Sequence, residues 1–585
     1  MLLAAYANTM TAVETSETPV DLRVSVGAEV STEVVDGLLV LTARNGSVPS
    51  VPLMFSLETP LGDAEGFWHP NARHGRTLPA DWAGRQDLNL VSSTPVGVLY
   101  DKSGAAVLAY ACDEAVDEIT LRYGVCEETN TFVVHLELAS QADGGVTRLA
   151  LALGQPEWTS ALAALRDWLA SDLAIEPLPV PPAALEPVYS TWYTFSQDIN
   201  AADIEADAEI AASIGCGSVF IDDGWELYAS GRGYAGCGDW LPDPDEFPDL
   251  AGHVQRLHDL GLSVVLWIAP LLLGEKSAAF AELGELAPHH VPHLETHILD
   301  PRRPEVRDHV VATCLRLMRD YGLDGLKIDF LDQATVYQGR PTDGDTADAG
   351  VAMLKLLQEL RVGLTEGGWD APLLEYRQPY VSPALAPFGN ILRVGDCPAD
   401  TAVNRASMID LRLLDFGPVV HSDMLMWDGT AAAEVGARQL LNVFFSVPQI
   451  SMRLTELGQD HLDSLTFLLQ QWRSVRDVVL QGQLSVGLSN DGYPVIQSWS
   501  STGEGVLGVY ADAWVSLDLA GRRRLTVLNA SGADSVVLDL AGPVQVRATT
   551  FTATGREQTT FTGSWEAGLM RLPVPVCGLA VVEIS

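Results

Sequence analysis

SVFIDDGW at 218–225 and PDLAGHVQRLHDLGLSVVLWI at 248–268 place an apolar run, an amphipathic segment and a second apolar run in succession. The runs are Val-, Ile- and Leu-rich on both faces, as strands buried on both sides of a parallel sheet require. The segment between them has Pro248 near its start and Gly261 just past its end, where helix chemistry favours those residues. The same rhythm recurs in VYSTWYTF (188–195), LSVVLWI (262–268), GLKID (325–329), PLLEY (372–376), NILRVGD (390–396), GPVVHSD (417–423) and a weaker PQIS (448–451). PEVRDHVVATCLRLMRDYG (304–322) is another of the intervening helices. Eight strand–helix units predict a central (β/α)8 barrel of the TIM type, with a doubly wound sheet as the alternative.

Outward from this core the period changes. GLLVLTARNGSV (37–48), ITLRYGVCEETNTFVVHLELA (119–139) and VTRLALALG (146–154) alternate apolar and polar positions between turn residues, which predicts an N-terminal antiparallel β-sandwich. A helix over 157–171 and the Pro-rich IEPLPVPPAALEP (175–187) close that part. From about 485 the alternation returns in GYPVIQSWSS (492–501), GVLGVYA (505–511) and RRLTVLNAS (523–531), which predicts a smaller C-terminal antiparallel β domain. The expected division is 1–180, an N-terminal β-sandwich; 181–480, the barrel; and 481–585, a C-terminal β-sandwich.

A chain of 585 residues exceeds what one core supports, and 47% apolar with 19% charged residues excludes disorder. The formal charge of −42 repels phosphate backbones and anionic lipid, so neither nucleic acid nor a membrane is an expected partner. Seven Cys without a CxxC pair signal no zinc ribbon and suit reduced thiols. The opening MLLAAYANTM lacks a basic segment and a long enough apolar stretch for a signal peptide, so the expected location is the cytoplasm.

Working residues of such a barrel sit at the carboxyl ends of its strands. Those ends carry Asp222 and Asp223, Trp267, Asp329, Arg377, Asp396, and His421 with Asp423. One Asp in such a loop is an ordinary helix cap; carboxylates from four strands with a Lys and an Arg form a constellation. Paired carboxylates suit glycosidic bond cleavage, one attacking or stabilising the anomeric carbon and the other protonating the leaving oxygen, with no metal or cofactor required. Lys327 and Asp329 are two apart on one strand, so both face the pocket, and the cation favours the ionised acid. Trp192, Trp225, Trp240 and Trp267 are candidate walls against which sugar C–H faces stack, and each alone reads equally as core. Cys397 lines the pocket or is a buried thiol. His421 is a binding candidate, and His69 and His74 are candidates to reach over the mouth.

IDDGW (221–225), GDWLPDPDEFPD (238–249), GLSVVLWIAP (261–270), LDPRRPEVRDHV (299–310), GLKIDF (325–330) and VGDCPAD (394–400) occur in the order found in glycoside hydrolase family 36, which this chain resembles over about 187–480. Families 27 and 31 belong to the wider group. The resemblance implies a supersandwich-like N-terminal domain and a retaining α-galactosidase acting on oligosaccharides by double displacement. It implies Asp329 as nucleophile, Asp396 as acid/base, Asp222 and Asp223 on the O4 and O6 hydroxyls, and Lys327 and Arg377 on the O2 and O3 side. Two segments depart from the family: PLLEYRQPY, with Glu375 before and Pro379 after the arginine, and WIAPLLLGE, which lacks an acidic strand end. These leave other readings open: another glycone (α-N-acetylgalactosaminide, β-L-arabinopyranoside, α-glucoside), transglycosylation, or a catalytically silent carbohydrate-binding protein. A homo-oligomer is among the assembly states left open.

Overall fold

The computed structural model describes residues 10–13, 20–25, 27–44, 52–72, 76–138, 145–152 and 154–585. Its centre is an eight-stranded parallel sheet built from β1 (Val188–Ser190), β2 (Ser218–Ile221), β3 (Ser263–Ile268), β4 (Gly325–Ile328), β5 (Leu373–Arg377), β6 (Ile391–Arg393), β7 (Val419–His421) and β8 (Gln449–Ile450). Each strand pairs with the next and β8 returns to β1. Parallel bridges from His421 to Val447 and from Leu425 to Ile450 close the ring, so the barrel holds and the doubly wound alternative does not.

Strand register decides which side chains face inward. Val188, Phe220, Val265, Leu373 and Ile391 pack together inside as an apolar plug, with Ala184 below. The intervening residues, Val219, Val264, Leu266, Leu326, Tyr376 and Val420 among them, face outward into the helix layer. The helices obey the sequence signals. Pro304–Tyr321 carries Pro at its first turn and ends at Gly322 with φ 67°, and Leu250–Asp259 is capped by Asp249, which accepts from the Gly252 amide. The segment expected as one strand over 188–195 divides: β1 stops at Ser190, and Trp192–Phe195 is a single helical turn.

Before the barrel, two six-stranded antiparallel sheets face each other across a core of Leu22, Leu41, Phe55, Phe67, Leu108, Phe132 and Leu149. Helix Trp158–Asp172 covers the outer face of one of them. After the barrel, a seven-stranded and a three-stranded sheet enclose Leu507, Val527, Leu538 and Val582; most pairings are antiparallel, and Glu504–Val509 runs parallel to Arg524–Asn529.

Asp410, on helix Thr401–Leu414 and fully buried, ties these parts together. It accepts from the Trp68 indole at 2.8 Å and the Tyr493 hydroxyl at 2.6 Å, and it pairs with Arg76. Arg76 also donates to the Ser489 carbonyl at 2.9 Å. Residues 68 and 76 belong to the first sheets, 410 to the barrel, and 489 and 493 to the last segment, so one carboxylate holds three regions. Removing one partner of a buried ion pair strands the other charge and costs about 3–5 kcal/mol. Asp410→Ala should therefore lower the urea unfolding midpoint by a corresponding amount, while Tyr493→Phe, which deletes one hydrogen bond, should cost about 1 kcal/mol.

Candidate active site

The side chains at the carboxyl ends of the barrel strands converge on one mouth, in layers that follow the period of two. Beneath the mouth, Lys327 (β4), Glu375 (β5), Arg393 (β6), His421 (β7) and Gln449 (β8) fill the interior above the apolar plug. Above them stand Asp222, Asp329, Arg377 and Asp423, with Asp396 at the rim, its side chain 52% exposed.

Asp329 is held from three sides. Its Oδ1 accepts from Arg377 Nε at 2.6 Å and from the Phe330 amide at 2.7 Å, and its Oδ2 faces the Trp267 indole N–H at 3.3 Å. Burial disfavours its charge, but Arg377, Lys327 and the Phe330 amide outweigh it and bring the carboxyl down to about 2. Asp329 is therefore an anion at any ordinary pH. Lys327 bonds directly to Asp222 and acts on Asp329 through space, so the direct cationic partner of Asp329 is Arg377.

Asp396 feels burial first, which opposes ionisation, and then Arg393, Lys327 and Arg377, which together pull its carboxyl below the ordinary value. Asp329 pushes it the other way. The same cations act on both acids, which places the two in one shared field. The direct contact is Arg393 Nη2 at 3.0 Å. Arg393 also donates to Asp423 at 2.6 Å and lies 3.3 Å from Glu375. Asp423 in turn accepts from the Tyr193 hydroxyl at 2.8 Å and the Cys397 amide at 2.7 Å.

The second strand ends in a tight turn. Gly224 has φ 112°, and a Cβ there would lie 2.7 Å from the Cα of Gln197, so this turn admits only glycine. The Asp222 amide donates to Thr191 Oγ1 at 2.9 Å, and Gln197 Nε2 donates to Asp223 at 3.0 Å. Burial and the neighbouring Glu226 push the Asp223 carboxyl well above the usual range, and the Tyr234 hydroxyl bonds to it. Asp222 thus meets a cation, whereas Asp223 meets neutral donors and a second acid.

Trp225, Trp240 and Trp267 form a nested set. Trp225 donates its indole N–H to the Trp267 carbonyl at 2.9 Å and stacks on Trp240 at 6.2 Å, and Trp240 meets Trp267 edge-on at 5.8 Å. All three are buried, Trp225 at 0% and Trp240 and Trp267 at 1% exposed, and what sets Trp267 apart is that its indole N–H faces Asp329. Trp192 is half-buried, with the Arg232 guanidinium 5.9 Å above its ring. His421 lies one layer too low to meet a ligand at the mouth: it is fully buried, with Nε2 at 2.8 Å from the Ala184 carbonyl at the barrel bottom. Burial takes its imidazole down to about 4, so it stays neutral. His69 packs inside the first sandwich between Phe67, Gln86 and Tyr123, not over the mouth, and His74 lies outside the described residues. Cys397 is buried, with its backbone on Asp423.

The first sandwich nevertheless reaches the site by another route. Gln378, next to Arg377, donates from Nε2 toward the Pro70 carbonyl and Asn71 Oδ1, both at 3.3 Å. Its Oε1 accepts from the Gly395 amide at 3.1 Å, one residue before Asp396. The same Gln therefore links the sandwich loop to the ends of β5 and β6. Arg393, Tyr193, Gln197, Tyr234, Glu226 and Gln378 were not among the sequence candidates; the NILRVGD run contained Arg393, and the alternation that places 391 and 395 inward places it inward as well.

Comparison with known proteins finds likeness in part of the sequence and in the fold. The melibiase family profile matches residues 184–358. α-Galactosidase 2 of Pediococcus pentosaceus is 28% identical over 148 residues, 24% of this chain and 20% of that protein. α-Galactosidase C of Emericella nidulans is 26% identical over 159 residues, 24% of this chain and 21% of that protein. These sequence matches span about a fifth of each relative's length. The fold likeness is wider. The α-galactosidase of Lactobacillus brevis superimposes with TM-score 0.63 at 15% identity, covering 99% of this chain and 83% of that one. A Geobacillus stearothermophilus α-galactosidase in complex with stachyose gives 0.62 at 13% identity, covering 98% and 84%.

If Arg377 holds Asp329 ionised, Arg377→Met must raise its pKa, because burial then faces less opposition. In a carboxyl-carbon NMR titration Asp329 should move from about 2 toward or past the ordinary value near 3.9. An unmoved titration would assign the depression to Lys327 and the Phe330 amide.

Proposed function

Because the melibiase profile matches residues 184–358 and the motifs resemble glycoside hydrolase family 36, we propose that the chain is a retaining α-glycosidase of that family removing terminal non-reducing α-D-galactosyl residues from oligosaccharides. One observation carries this reading: a permanently ionised Asp329 and a rim-exposed Asp396 share a mouth and a set of cations. Asp329 attacks the anomeric carbon as its leaving oxygen takes the proton of Asp396, and the resulting ester is then hydrolysed by water that Asp396 deprotonates.

The charge coupling supports both halves of this cycle. While Asp329 is an anion it raises the proton affinity of Asp396, and a sugar that displaces water adds to that by desolvation, which favours the acid form. Once Asp329 is esterified its charge is gone, and Arg393, Lys327 and Arg377 then favour ionised Asp396, the base the second step requires. In this reading Asp222 and Asp223 bind the O4 and O6 edge. Asp222 is the acceptor, while Asp223, pushed toward its protonated form, can also donate. Lys327, rooted in the lower layer, extends its ammonium up to Asp222 and with Arg377 serves the O2 and O3 side, and the half-buried Trp192 contributes apolar surface. The substrate class is an oligosaccharide with water as acceptor. The three-part division at 180 and 480 belongs to the same reading. So does a cytoplasmic location, supported by the buried thiols Cys112, Cys126, Cys216, Cys237, Cys314 and Cys577, which form no disulfide. Among the described residues no helix is long and apolar enough to cross a membrane.

Two measurements check the assignment. On p-nitrophenyl α-galactoside, Asp329→Asn should lose kcat by about a thousandfold or more while still binding galactose. Asp396→Ala should lose far more on raffinose, whose leaving oxygen needs a proton, than on the aryl glycoside, whose phenolate leaves unaided. Equal losses on the two substrates contradict the acid role, and turnover of the α-glucoside in preference to the α-galactoside contradicts the glycone.

A further inference from the structure

Between β3 and β4 the chain makes an excursion at the mouth of the barrel, a three-stranded antiparallel sheet of Leu272–Gly274, Thr296–Ile298 and His289–Val291. Four of the twelve histidines lie within residues 289–297. The register sets His290 directly opposite His297, so their side chains share one face. Their rings stack at 4.6 Å with 20° between planes, and both Nε2 atoms approach Oε1 of Glu275, His290 at 2.8 Å and His297 at 4.0 Å. One ligand atom from each of the three residues lies within 4.8 Å of the others.

The tautomer of His297 is fixed by its other nitrogen. Nδ1 lies 3.0 Å from the Ala287 carbonyl, an acceptor only, so Nδ1 carries a proton, and in the neutral ring Nε2 is the nitrogen with the lone pair. That lone pair faces a carboxylate oxygen, a pairing of two acceptors that a cation between them would satisfy. A ring nitrogen turned inward while its partner N–H rests on a backbone carbonyl is the usual support of a metal-binding histidine. Phe280, edge-on to His297 at 5.0 Å, holds the ring in place.

We propose that Glu275, His290 and His297 form a structural site for a divalent transition-metal cation of the zinc type. Two imidazoles and one carboxylate suit Zn2+, and a water completes a tetrahedron; Mg2+ and Ca2+ prefer all-oxygen sets. The cation takes the place of the proton that His290 and Glu275 share, and drawing the three groups to bonding distance requires only a modest closing of side chains. The site clamps a segment that matters for the mouth. The Leu294 carbonyl accepts from the Tyr234 amide at 2.9 Å, and the Ala235 carbonyl accepts from the Lys276 amide at 2.8 Å. Tyr234 bonds Asp223, and the Gly233 carbonyl accepts from Gln197. The metal would stiffen the support of Asp223 without touching the reacting atoms. The inference stands on this sheet alone, independent of the proposed reaction.

The test is calorimetric titration of ZnCl2 into the full chain after chelator treatment, with a thermal unfolding scan alongside. The wild type should take up one ion per chain at this site and unfold at a higher temperature with Zn2+, and MgCl2 should do neither. His290→Ala, at an exposed position, and Glu275→Gln should each weaken that binding at least tenfold and abolish the thermal shift, whereas His258→Ala, on helix Leu250–Asp259 and bonded to Asp324, should leave both intact. Absence of uptake by the wild type overturns the proposal. So does uptake that survives both His290→Ala and Glu275→Gln, since the ion would then sit elsewhere.

Discussion

The constraint on which the rest of the structure depends is the burial of many carboxylates in one barrel mouth. Asp222, Asp223, Asp329, Glu375 and Asp423 are buried, in a chain of charge −42, and each unpaired buried charge would cost several kcal/mol. Three cations answer that cost from inside the ring: Lys327 on Asp222, Arg377 on Asp329, and Arg393 on Asp423, Asp396 and Glu375. A strand period of two brings all three inward. The pairing that makes the barrel foldable also sets the charge of the mouth, because the cations that keep Asp329 ionised are among those that draw the Asp396 carboxyl below its ordinary value.

The parts outside the barrel are coupled to this mouth through few, specific bonds. Asp410 joins the first sandwich, the barrel and the last segment at a buried point. Gln378 carries the first sandwich's position to the ends of β5 and β6, where Arg377 and Asp396 stand. The departure noted around Glu375 to Pro379 is accommodated here. Glu375 is not at the mouth but beneath it, accepting from Gln449 and facing Arg393, with its carboxyl pushed up by burial. It belongs to the interior charge balance, and Pro379 offers its carbonyl to Asn71.

Periodicity made much of this readable. The apolar runs at 218–222, 262–268 and 325–329 became strands within a residue or two, because a parallel barrel strand is buried on both faces and its composition says so. The residues ending those runs reached one mouth for the same reason. What stayed hidden depends on distant pairing. Asp410 meets Trp68 and Arg76 more than three hundred positions away, and no local pattern encodes that. Trp225 and Trp240 could be read as wall or core, since the difference is made by what packs behind Trp267. His421 ended a strand-like run as the acids did, yet its strand stops early enough to leave it a layer below them. His290, His297 and Glu275 came together because two short strands inside an apparent loop set their register.

The central claim is that Asp329 forms a covalent bond to the sugar. A 2-deoxy-2-fluoro-α-galactosyl fluoride tests it directly, because fluorine at C2 destabilises the second transition state while fluoride leaves readily in the first, so the ester accumulates. After proteolysis, mass spectrometry should find the fluorosugar on the peptide containing GLKIDF, with fragmentation placing it on Asp329. A label on any other residue, or turnover with inverted anomeric configuration and no adduct, would contradict the account.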